Sequence, residues 1–500
     1  MLFKTNHLIS TLIPSVPNER QALQEAGETL DRRTQGDWVG QALARKVQSL
    51  DEHSIVVVDA VRIEHQIESI RKAFGPKAVH VHLTASSTEL QKRYSRRKGK
   101  IKELSSYQEV KKSRTESLID SLKEVADIVI NTDRCTDNDV LVRVAAQLDL
   151  YSRDTTTLVD VLVGGQYGSE GKGNIVSYLA REYDYLVRVG GPNAGHKVYR
   201  EEGPYTFHLL PSGTLTSEAK LVIGPGANLA LDILLKEIRE CNITNDRLYI
   251  DPRAMIIEEK DRRFESKSLK DKIGSTGQGV GAATARRIRD RGKKIRMAEN
   301  IAELRPFIKR TDEVLDAAYA QGKRILLEGT QGASLSLYHG NYPWVTSRDT
   351  NVSGALAEAG IAPRRVRKVI MVCRTYPIRV GGSSGPMSQE ISRREIARRS
   401  GLSYAEILRV ERTSTTNKPR RIGEFDWVQF HRSTMLNGPT DIALTFADYL
   451  GKVNRNARRF EQLSEDTIRF IEEVERISGA PVSLISTRFH SRSIIDRRAW

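Results

Sequence analysis

Residues 165–173 read GQYGSEGKG and lie between two apolar runs, Leu158 to Val163 and Ile175 to Ala180. The first run predicts a buried strand and the second predicts a helix. A strand, a glycine-rich turn and a helix N-terminus bring backbone N–H groups, a helix dipole and a lysine to one point, which suits a phosphate. The stretch therefore predicts an α/β fold that binds a nucleotide.

The lysine of this loop has an unusual neighbour. In the common phosphate loop, GxxxxGK is followed by Ser or Thr, whose hydroxyl holds magnesium. Here Gly173 follows Lys172, so other residues must hold the metal. Taken alone, the loop could also be a flexible glycine turn, and the motifs downstream argue against that interpretation.

Length and composition describe a globular chain of two or three domains, because 500 residues exceed one ordinary core. Apolar residues make up 39% and charged residues 28%, and no apolar run approaches the roughly 20 residues that cross a bilayer. The start, Met1-Leu2-Phe3-Lys4, lacks a signal-peptide pattern. We expect a cytoplasmic protein, in the host cytoplasm if the source is viral, with no membrane partner.

Cysteines and charge limit the function classes further. Cys135, Cys241 and Cys373 form no metal-ligand spacing, so we expect three reduced, buried thiols. The net charge is +16, from 79 Lys+Arg against 63 Asp+Glu. This surplus suits either nucleic acid, with 286–294 as a candidate strip, or an enzyme whose ligands are anions. The strip has no interleaved aromatic residues, so we favour the enzyme.

Residues 1–150 predict a smaller N-terminal α/β domain with a parallel sheet. Short apolar strands are expected at 54–59, 78–83 and 127–131, with a helix at 64–74. The polar stretch 90–124 is expected to be helical. A polar linker at 149–157 precedes the second domain, 158–500.

Four segments of the first domain resemble the later two thirds of a deoxynucleoside monophosphate kinase: RQALQEAG at 20–27, GDWV at 36–39, DAVR at 59–62 and NTD at 131–133. Such kinases open with a strand and a phosphate loop, and we expect that opening to be missing, because residues 1–19 contain no GxxxxGK. The resemblance implies a degenerate kinase-like domain that serves as a scaffold, supports oligomerisation or binds a deoxynucleotide without chemistry.

The second domain contains four further motifs whose residues could bind ligands or take part in catalysis. They are GGPNAGH at 190–196, GSTGQGVG at 274–281, EGTQG at 328–332 followed by HGNYPWVTS at 339–347, and RTSTTNKPRR at 412–421. Buried strands are expected at 185–189 and 324–327, before the first and third. An imidazole suits proton transfer at neutral pH, and clustered hydroxyls and guanidiniums suit a carboxylate. A second glycine loop offers hydroxyls and amides to another phosphate. The set predicts a ligase that joins two anions.

These motifs resemble those of the adenylosuccinate synthetase family. The loop QYGSEGKG is similar to the family's QWGDEGKG, GGPNAGH to GGxNAGH, GSTGQGVG to TTGRGIGP, and TTNKPRR to TTGRRRR. EGTQG with HGNYPWVTS is similar to EGAQG with HGTYPYVTS. The resemblance spans nearly all of 158–500 and is to the shorter, archaeal and phage-like members. It implies a P-loop-like adenylosuccinate synthetase fold with a central, mostly parallel sheet.

The resemblance also implies a two-step reaction. A nucleoside triphosphate phosphorylates the 6-oxygen of a purine monophosphate, and the amine of L-aspartate displaces that phosphate. The implied catalytic residues are Ser169, His196 as the acid, and Gln331. The implied triphosphate contacts are Ser169, Gly171, Lys172, Gly173, Gly195, His196 and Asp448. The implied magnesium contacts are Ser169 and the Gly195 carbonyl.

The remaining assignments concern the two other substrates. The resemblance implies monophosphate contacts at Asn193, Ser275, Thr276, Gln331, Thr346 and Lys418. It implies aspartate contacts at Thr415, Thr416 and Arg420. The family also forms dimers in which an arginine reaches the neighbouring subunit's substrate. Strict register places Asp290 there, so which arginine near 289–291 would replace it stays open.

This sequence departs from the family pattern at the position of the catalytic Asp, where it has Ser169. Phage-type members that make N6-succino-2-amino-2′-deoxyadenylate from dGMP also carry Ser there. A small neutral side chain would admit the 2-amino group of guanine. Lys418 replaces an arginine near the ribose 2′-hydroxyl, which a deoxyribose lacks.

Two departures concern the triphosphate. Family members that use GTP read guanine with a TKxD-like motif, whereas residues 445–448 are TFAD. The usual SGP-like guanine contact is replaced by STRF at 486–489. We therefore expect ATP or dATP as the donor, with GTP as the weaker alternative.

Three hypotheses follow from the sequence. The leading one is a magnesium-requiring ligase for dGMP and L-aspartate. The second is an ordinary adenylosuccinate synthetase acting on IMP. The third is a catalytically inactive nucleotide sensor. For the ligases we expect a homodimer that does not bind nucleic acid.

Overall fold

The structure is a computed structural model that describes residues 1–50, 54–96, 118–148, 150, 156–292, 295–412, 419–490 and 492–498. The chain divides into two compact units, Met1–Arg153 and Asp154–Trp500. No helix within the described ranges is long and apolar enough to cross a membrane. The predicted linker falls mostly outside the described residues.

The first unit contains four short strands: β1 (Leu2–Lys4), β2 (Val57–Asp59), β3 (Val81–Thr84) and β4 (Ile128–Asn131). Its α-helices are Thr5–Leu12, Arg20–Thr34, Asp37–Val47, Glu64–Phe74, Ser87–Arg96 and Asp137–Gln147. Strands β1 and β2 form one parallel pair, and β3 and β4 form another. The α/β composition was predicted, but the strands form two separate pairs and not the single parallel sheet that we expected.

The kinase-like character of the first unit stays a prediction, but the unit does begin with a strand. Strand β1 is present and pairs with β2, because Leu2 and Phe3 align in register with Val57 and Val58. The helix Thr5–Leu12 begins immediately after this strand. The turn between strand and helix is therefore too short for a phosphate loop.

The second unit contains strands β5 to β19 and eleven described α-helices. The strands are Val159–Gly164, Tyr185–Arg188, His196–Val198, Tyr205–Phe207, Lys220–Ile223, Asn228–Leu229, Leu248–Ile250, Met255–Ile256, Ile325–Gly332, Val366–Arg374, Ile378–Val380, Arg420–Ile422, Asp441–Thr445, Val482–Ser486 and Ile494–Asp496. The helices are Lys172–Leu179, Leu231–Glu240, Glu259–Ser268, Lys270–Ile273, Val280–Arg289, Thr311–Ala320, Val352–Ala359, Arg393–Ser400, Tyr404–Val410, Trp427–Asn437 and Glu465–Ser478.

Nine of these strands form the central sheet, in the order β11-β9-β6-β13-β5-β14-β17-β18-β19. Eight are parallel, and only β19 at the edge is antiparallel to its neighbour. Separate apolar cores cover the sheet, one built around Ile175 and Leu179, the other around Leu327 and Val352. Strands covered on both faces are almost continuously apolar, which is why β5 reads as one buried run, interrupted by Asp160. The predicted fold class is confirmed.

Two predicted boundaries shift near the site. The helix after the glycine loop begins at Lys172 and not at Ile175, because Gly171 turns the backbone with a φ of 92°. Strand β13 continues to Gly332, five residues beyond the predicted end at Leu327. It pairs with both β5 and β6, so the EGTQG motif lies within a central strand.

Candidate active site

Three of the predicted motifs meet where β5, β6 and β13 end. These strands are neighbours in the sheet, and the carboxyl ends of parallel strands meet at one edge. A Cβ placed on Gly173 would lie 2.9 Å from the His196 Cβ, and one on Gly168 would lie 3.4 Å from the Gln331 Cα. The structure therefore brings the glycine loop, His196 and Gln331 together.

The carboxylate of Glu170 holds the glycine loop from inside, a role that was not predicted. One oxygen of Glu170 accepts hydrogen bonds from the backbone N–H of Gln166 at 3.0 Å and of Gly168 at 2.7 Å. The other oxygen pairs with Lys172 at 2.7 Å. Burial alone would raise the pKa of Glu170, but the Lys172 charge and these hydrogen bonds hold it below its usual value. Part of the amide cradle is thus already occupied.

Lys172 points into this loop and not toward open solvent. Its side chain is 1% exposed, and it also donates to the Gly168 carbonyl at 3.4 Å. A phosphate contact by Lys172 remains a prediction. To make one, the ammonium would have to reach the phosphate while it stays beside Glu170.

The other loop positions are more open. Ser169, Gly171 and Gly195 are half-buried, whereas Gly173 is buried. Gly173 lies in the first turn of the helix Lys172–Leu179, where the backbone of β7 passes so closely that any side chain would collide with it. Its role is to let His196 approach the helix N-terminus.

His196 is 4% exposed, and both of its ring nitrogens have partners. The Nε2 atom lies 2.9 Å from the Thr330 carbonyl oxygen. The Nδ1 atom lies 2.7 Å from Nη1 of Arg188 and also contacts Glu328. Burial and the Arg188 charge lower the pKa of His196 to about 4, although the Glu328 carboxylate opposes the shift.

Arg188 and Glu328 form a buried ion pair at the centre of this site. They face each other across β6 and β13, with 2.5 Å between Nη1 and the carboxylate. Glu328 also accepts from the backbone N–H of Ser212 at 2.8 Å and from the Ser212 hydroxyl. Although burial would raise the pKa of Glu328, the neighbouring cation and hydrogen bonds lower it to about 2. The carboxylate is charged at neutral pH.

The second glycine loop offers fewer amides than we expected. Glu265 accepts hydrogen bonds from the backbone N–H of Gly279 at 2.8 Å and of Gly281 at 2.6 Å. It also lies 3.5 Å from the Ser275 hydroxyl. The N-terminus of the helix Val280–Arg289 is therefore capped by a carboxylate. This carboxylate occupies backbone N–H groups and adds negative charge, so these amides are not free to bind a phosphate. Ser275 and Thr276 remain half-buried beside it.

Two of the predicted monophosphate contacts, Asn193 and Thr346, lie close together. Asn193 donates to the Thr346 hydroxyl at 3.4 Å, and its side-chain oxygen is buried without a hydrogen-bond partner among the described residues. The Gln331 amide oxygen accepts from the Thr330 hydroxyl at 2.5 Å. Unsatisfied buried oxygens are uncommon in folded proteins, so the Asn193 oxygen is a candidate ligand contact.

The predicted aspartate site is only partly described. Thr415, Thr416 and Lys418 lie outside the described residues. Arg420 is 13% exposed and lies 3.8 Å from Glu411, a fully buried carboxylate that also pairs with Arg374. Burial lowers the pKa of Arg420 to about 10, against the attraction of Glu411. Arg420 therefore stays a cation at neutral pH, as carboxylate binding requires.

Asp448 lies just beyond the carboxyl end of β17, near the glycine loop. The strand's last residue, Thr445, donates from its hydroxyl to the Glu170 carbonyl at 2.6 Å. Asp448 is 2% exposed, and its Oδ1 has no hydrogen-bond partner within the described ranges. Burial raises its pKa to about 7, although Arg455 and Arg374 oppose the shift. A buried carboxyl group with one oxygen that lacks a hydrogen-bond partner is suited to recognising a ligand by hydrogen bonding.

The guanidinium of Arg374 covers the ring of Phe446 at 3.7 Å. Phe446 is the residue that replaces the lysine of the guanine-reading motif. Its ring also lies 3.8 Å from a Cβ position on Gly171. The Phe446 ring thus lies beside the glycine loop, at the sequence position where GTP-using family members carry a lysine.

Other expectations are corrected by burial. Arg286, in the candidate nucleic-acid strip, is 5% exposed and pairs with Asp261 at 2.7 Å. The strip is therefore not a continuous exposed cationic surface, and Lys293 and Lys294 lie outside the described residues. Cys241 and Cys373 are buried free thiols, but Cys135 is only half-buried.

Four charged residues organise the site although no role was predicted for them: Glu170, Arg188, Glu265 and Glu328. Two of them carried a signal, because Glu170 lies within the glycine loop and Glu328 opens the EGTQG motif. Arg188 ends an apolar run, where a buried charge could have been suspected. Glu265 lies in a polar helix and gave no signal.

Comparisons with known proteins identify the family of the second unit. The family model described as adenylosuccinate synthetase matches residues 161–300 and 294–456. The adenylosuccinate synthetase of Methanocaldococcus jannaschii is 39% identical over 346 residues, which are 68% of this chain and 96% of that protein. The adenylosuccinate synthetase of Pyrococcus horikoshii is 38% identical over 345 residues, 68% of this chain and 98% of that protein.

Two solved structures share the fold. The fully ligated adenylosuccinate synthetase of Plasmodium falciparum has a TM-score of 0.60 and 23% identity, covering 68% of this chain and all of that one. The succinoaminodeoxyadenylate synthetase of cyanophage S-2L, bound to dGMP and to dATP as energy donor, has a TM-score of 0.57 and 26% identity. That comparison covers 69% of this chain and 96% of the phage protein.

Proposed function

Because the chain belongs to the adenylosuccinate synthetase family and is thus a C–N ligase, we propose that it joins L-aspartate to C6 of dGMP. The phosphoryl donor is ATP or dATP, and the product is N6-succino-2-amino-2′-deoxyadenylate. The γ-phosphoryl group moves to the 6-oxygen of guanine, and the aspartate amine then displaces it as phosphate. The proton on N1 leaves during the first step.

The observation that carries this proposal is the hydroxyl at Ser169. It is half-buried in the glycine loop, beside the buried carboxylate of Glu170. A small neutral side chain leaves room for an amino group next to N1, whereas a carboxylate would take that space and add charge. The phage synthetase that shares this fold was solved with dGMP, which supports the same substrate here.

The chain's own residues supply positioning and charge neutralisation, which account for most of phosphoryl-transfer catalysis. His196 would donate a hydrogen bond toward the 6-oxygen after its Nε2 atom leaves the Thr330 carbonyl, and Lys172 would approach the triphosphate. A serine hydroxyl is not a resting base at neutral pH. In this proposal Ser169 accepts the N1 hydrogen bond and relays the proton to water.

The donor atoms available for magnesium fit the ion when phosphates complete its shell. Magnesium takes oxygen ligands and usually keeps only one or two from protein. Ser169 and Gly195 offer a hydroxyl and a carbonyl oxygen on half-buried residues. No cluster of three or more acidic, His or Cys side chains competes with them in the described part of the chain. Bound there, the ion would neutralise charge on the transferring group.

The second candidate is an ordinary adenylosuccinate synthetase that acts on IMP. It is favoured by the archaeal relatives, which are adenylosuccinate synthetases at 38–39% identity. They are more similar in sequence than the phage protein at 26%. The two candidates differ in what position 169 must accommodate, so a direct assay separates them.

The test offers the purified chain dGMP or IMP, each with ATP or GTP, and follows phosphate release that depends on aspartate. The proposal expects turnover of dGMP with ATP and little turnover of IMP. Turnover of IMP with GTP and none of dGMP would support the second candidate. A homodimer is part of the proposal, and light scattering of the pure protein gives its mass directly.

A further inference from the structure

Arg420 is a nearly buried cation whose guanidinium makes no hydrogen bond in the described part of the chain. Its side chain is 13% exposed, and Nη1 lies 3.8 Å from Oε2 of Glu411, which is too long for a hydrogen bond. The Nε atom is buried without a partner within the described ranges. A guanidinium carries five N–H donors, and buried donors are rarely left unpaired. These donors therefore lack an acceptor, and a bound anion would supply one.

The neighbouring carboxylate, Glu411, is fully buried and is engaged on one side. Its Oε1 atom accepts hydrogen bonds from the Tyr449 hydroxyl at 2.6 Å and from Nη2 of Arg374. Its Oε2 atom faces Arg420 and has no hydrogen-bond partner among the described residues. Glu411 thus attracts Arg420 without binding it closely.

The two donors that hold Glu411 are themselves fixed. The backbone of Arg374 exchanges two hydrogen bonds with the Gln166 amide, both at 3.0 Å, and its guanidinium covers the ring of Phe446 at 3.7 Å. Tyr449 is 3% exposed, and its ring packs edge-on against Phe446 with 5.4 Å between the centroids. Glu411 could therefore move only by leaving two well-placed donors.

We propose that Glu411 is a positioning residue that holds Arg420 by charge alone and leaves its N–H groups free for a carboxylate of L-aspartate. Arg374 and Tyr449 maintain this arrangement by binding the other oxygen of Glu411. The inference rests on the proposed function for the identity of the anion. It adds that the contact between Arg420 and the substrate depends on three buried side chains that do not touch the substrate themselves.

The charges of this cluster agree with such a role. Arg374 and Arg420 carry two positive charges against one negative charge on Glu411, so the cluster contains one uncompensated cation. Burial lowers the pKa of Arg420 to about 10, although Glu411 opposes the shift, so Arg420 stays charged at neutral pH. Buried charges are normally paired, and a planar carboxylate matches the guanidinium fork with two parallel hydrogen bonds. L-Aspartate offers such a group.

The first test removes one hydroxyl and no charge. Tyr449→Phe takes away one of the hydrogen bonds on Oε1 of Glu411, so the carboxylate should turn toward Arg420 and compete with the substrate. We expect the KM for L-aspartate to rise about tenfold, as for one hydrogen bond to a charged group, and the KM for the triphosphate to stay unchanged. Tyr376→Phe is the matched control, because Tyr376 is buried in the same apolar cluster and its hydroxyl interacts with Arg399. An equal KM for L-aspartate in both variants would overturn the inference.

The second test asks whether Tyr449 acts through Glu411. Glu411→Gln removes the charge that holds Arg420 and should also raise the KM for L-aspartate about tenfold. The double variant should then match Glu411→Gln, because both changes break the same link. Effects that multiply would show that the two residues act independently and would contradict the inference. If Glu411→Gln does not fold, the comparison of Tyr449→Phe with Tyr376→Phe decides.

Binding of L-aspartate separates this inference from the proposed function. Isothermal titration calorimetry of the full chain with L-aspartate, in the presence of dGMP, gives a Kd without turnover. A wild type that turns over neither dGMP nor IMP, yet binds L-aspartate about tenfold more tightly than Tyr449→Phe does, would refute the proposed function and support the inference. Turnover with the same KM for L-aspartate in wild type, Tyr449→Phe and Glu411→Gln would do the reverse. A wild type that does not bind L-aspartate would overturn the inference.

Discussion

In the proposed function, Ser169 and Asp448 are the residues that select the monophosphate and the triphosphate. Each differs from what its surroundings would suggest. Ser169 is neutral in a loop where Glu170 already supplies a buried charge. Asp448 is a carboxyl that burial keeps near half protonation at neutral pH. In the proposed function, the choice of monophosphate depends on the missing charge at Ser169, and the choice of triphosphate depends on one proton at Asp448.

The variant Ser169→Asp should reverse the choice of monophosphate. A carboxylate there would crowd the 2-amino group of guanine and restore a base for N1. We expect dGMP turnover to fall by about tenfold or more, which corresponds to about 1.4 kcal/mol, and IMP turnover to rise. Ser169→Ala is the matched control, because it adds no charge and should keep the preference for dGMP. Equal dGMP turnover in Ser169→Asp and wild type would contradict this assignment.

The choice of triphosphate should depend on pH through Asp448. Protonated, its carboxyl offers a donor and an acceptor, which match adenine; ionised, it offers only acceptors, which match guanine. The folded pKa is raised to about 7, so the adenine-matching form dominates below that pH and is lost above it. We therefore expect the KM for ATP to rise, and the KM for GTP to fall, between about pH 6 and about pH 8.5.

The variant Asp448→Asn is the control for this prediction. Its amide offers a donor and an acceptor at every pH, so the KM for ATP should become independent of pH while GTP use is lost. Steady-state kinetics over the same interval measure both effects. A wild-type KM for ATP that does not change with pH would remove Asp448 from base recognition.

At the scale of elements, the site depends on how closely the helix Lys172–Leu179 approaches β7. Gly173 makes this approach possible, since a Cβ there would lie 2.9 Å from the His196 Cβ and 3.0 Å from the Lys197 carbonyl. The helix also begins at the last residue but one of the glycine loop. A change in this contact would move the loop and His196 together.

The variant Gly173→Ala should therefore destabilise the fold and impair turnover. Overpacking of this kind costs about 1–3 kcal/mol, and thermal unfolding measures it. Gly451→Ala is the control, because the backbone there is extended, with φ at 178°, and the nearest atom to its Cβ is 3.5 Å away. If the two variants unfold at the same temperature, the close approach at Gly173 is not structurally important.

At the scale of the whole molecule, the chain carries its ligase motifs in one of two compact units. The relatives match about 345 residues of this chain and are themselves covered almost completely, to 96% and 98%. The catalytic core therefore corresponds to a protein that folds without the first unit. In the first unit, the strand Leu2–Lys4 is followed directly by the helix Thr5–Leu12.

A chain restricted to residues 156–500 should fold and keep its ligase activity. We expect kcat within about twofold of the full chain, since less than about 0.5 kcal/mol of barrier would be affected. Circular dichroism and the aspartate-dependent phosphate assay test this. A folded fragment without turnover would show that the first unit takes part in catalysis.

Local pattern was sufficient to predict some parts of this molecule. The buried run of β5, the glycine loop and the following helix are encoded within about twenty consecutive residues, and the fold class followed from them and from the ordered motifs. Strand ends were less accurate. The strand before the EGTQG motif was predicted to end at Leu327, yet β13 continues through the motif between two neighbouring strands.

The sequence by itself determined the fold class, the family motifs and the exchange of a carboxylate for Ser169. Only the tertiary structure decided which charges face each other: Glu170 with Lys172, Glu265 with the helix amides, and Arg188 with Glu328 and His196. The physical reason is strand register. Arg188 and Glu328 are separated by 140 positions and meet because β6 and β13 align, and no spacing within either motif specifies that alignment.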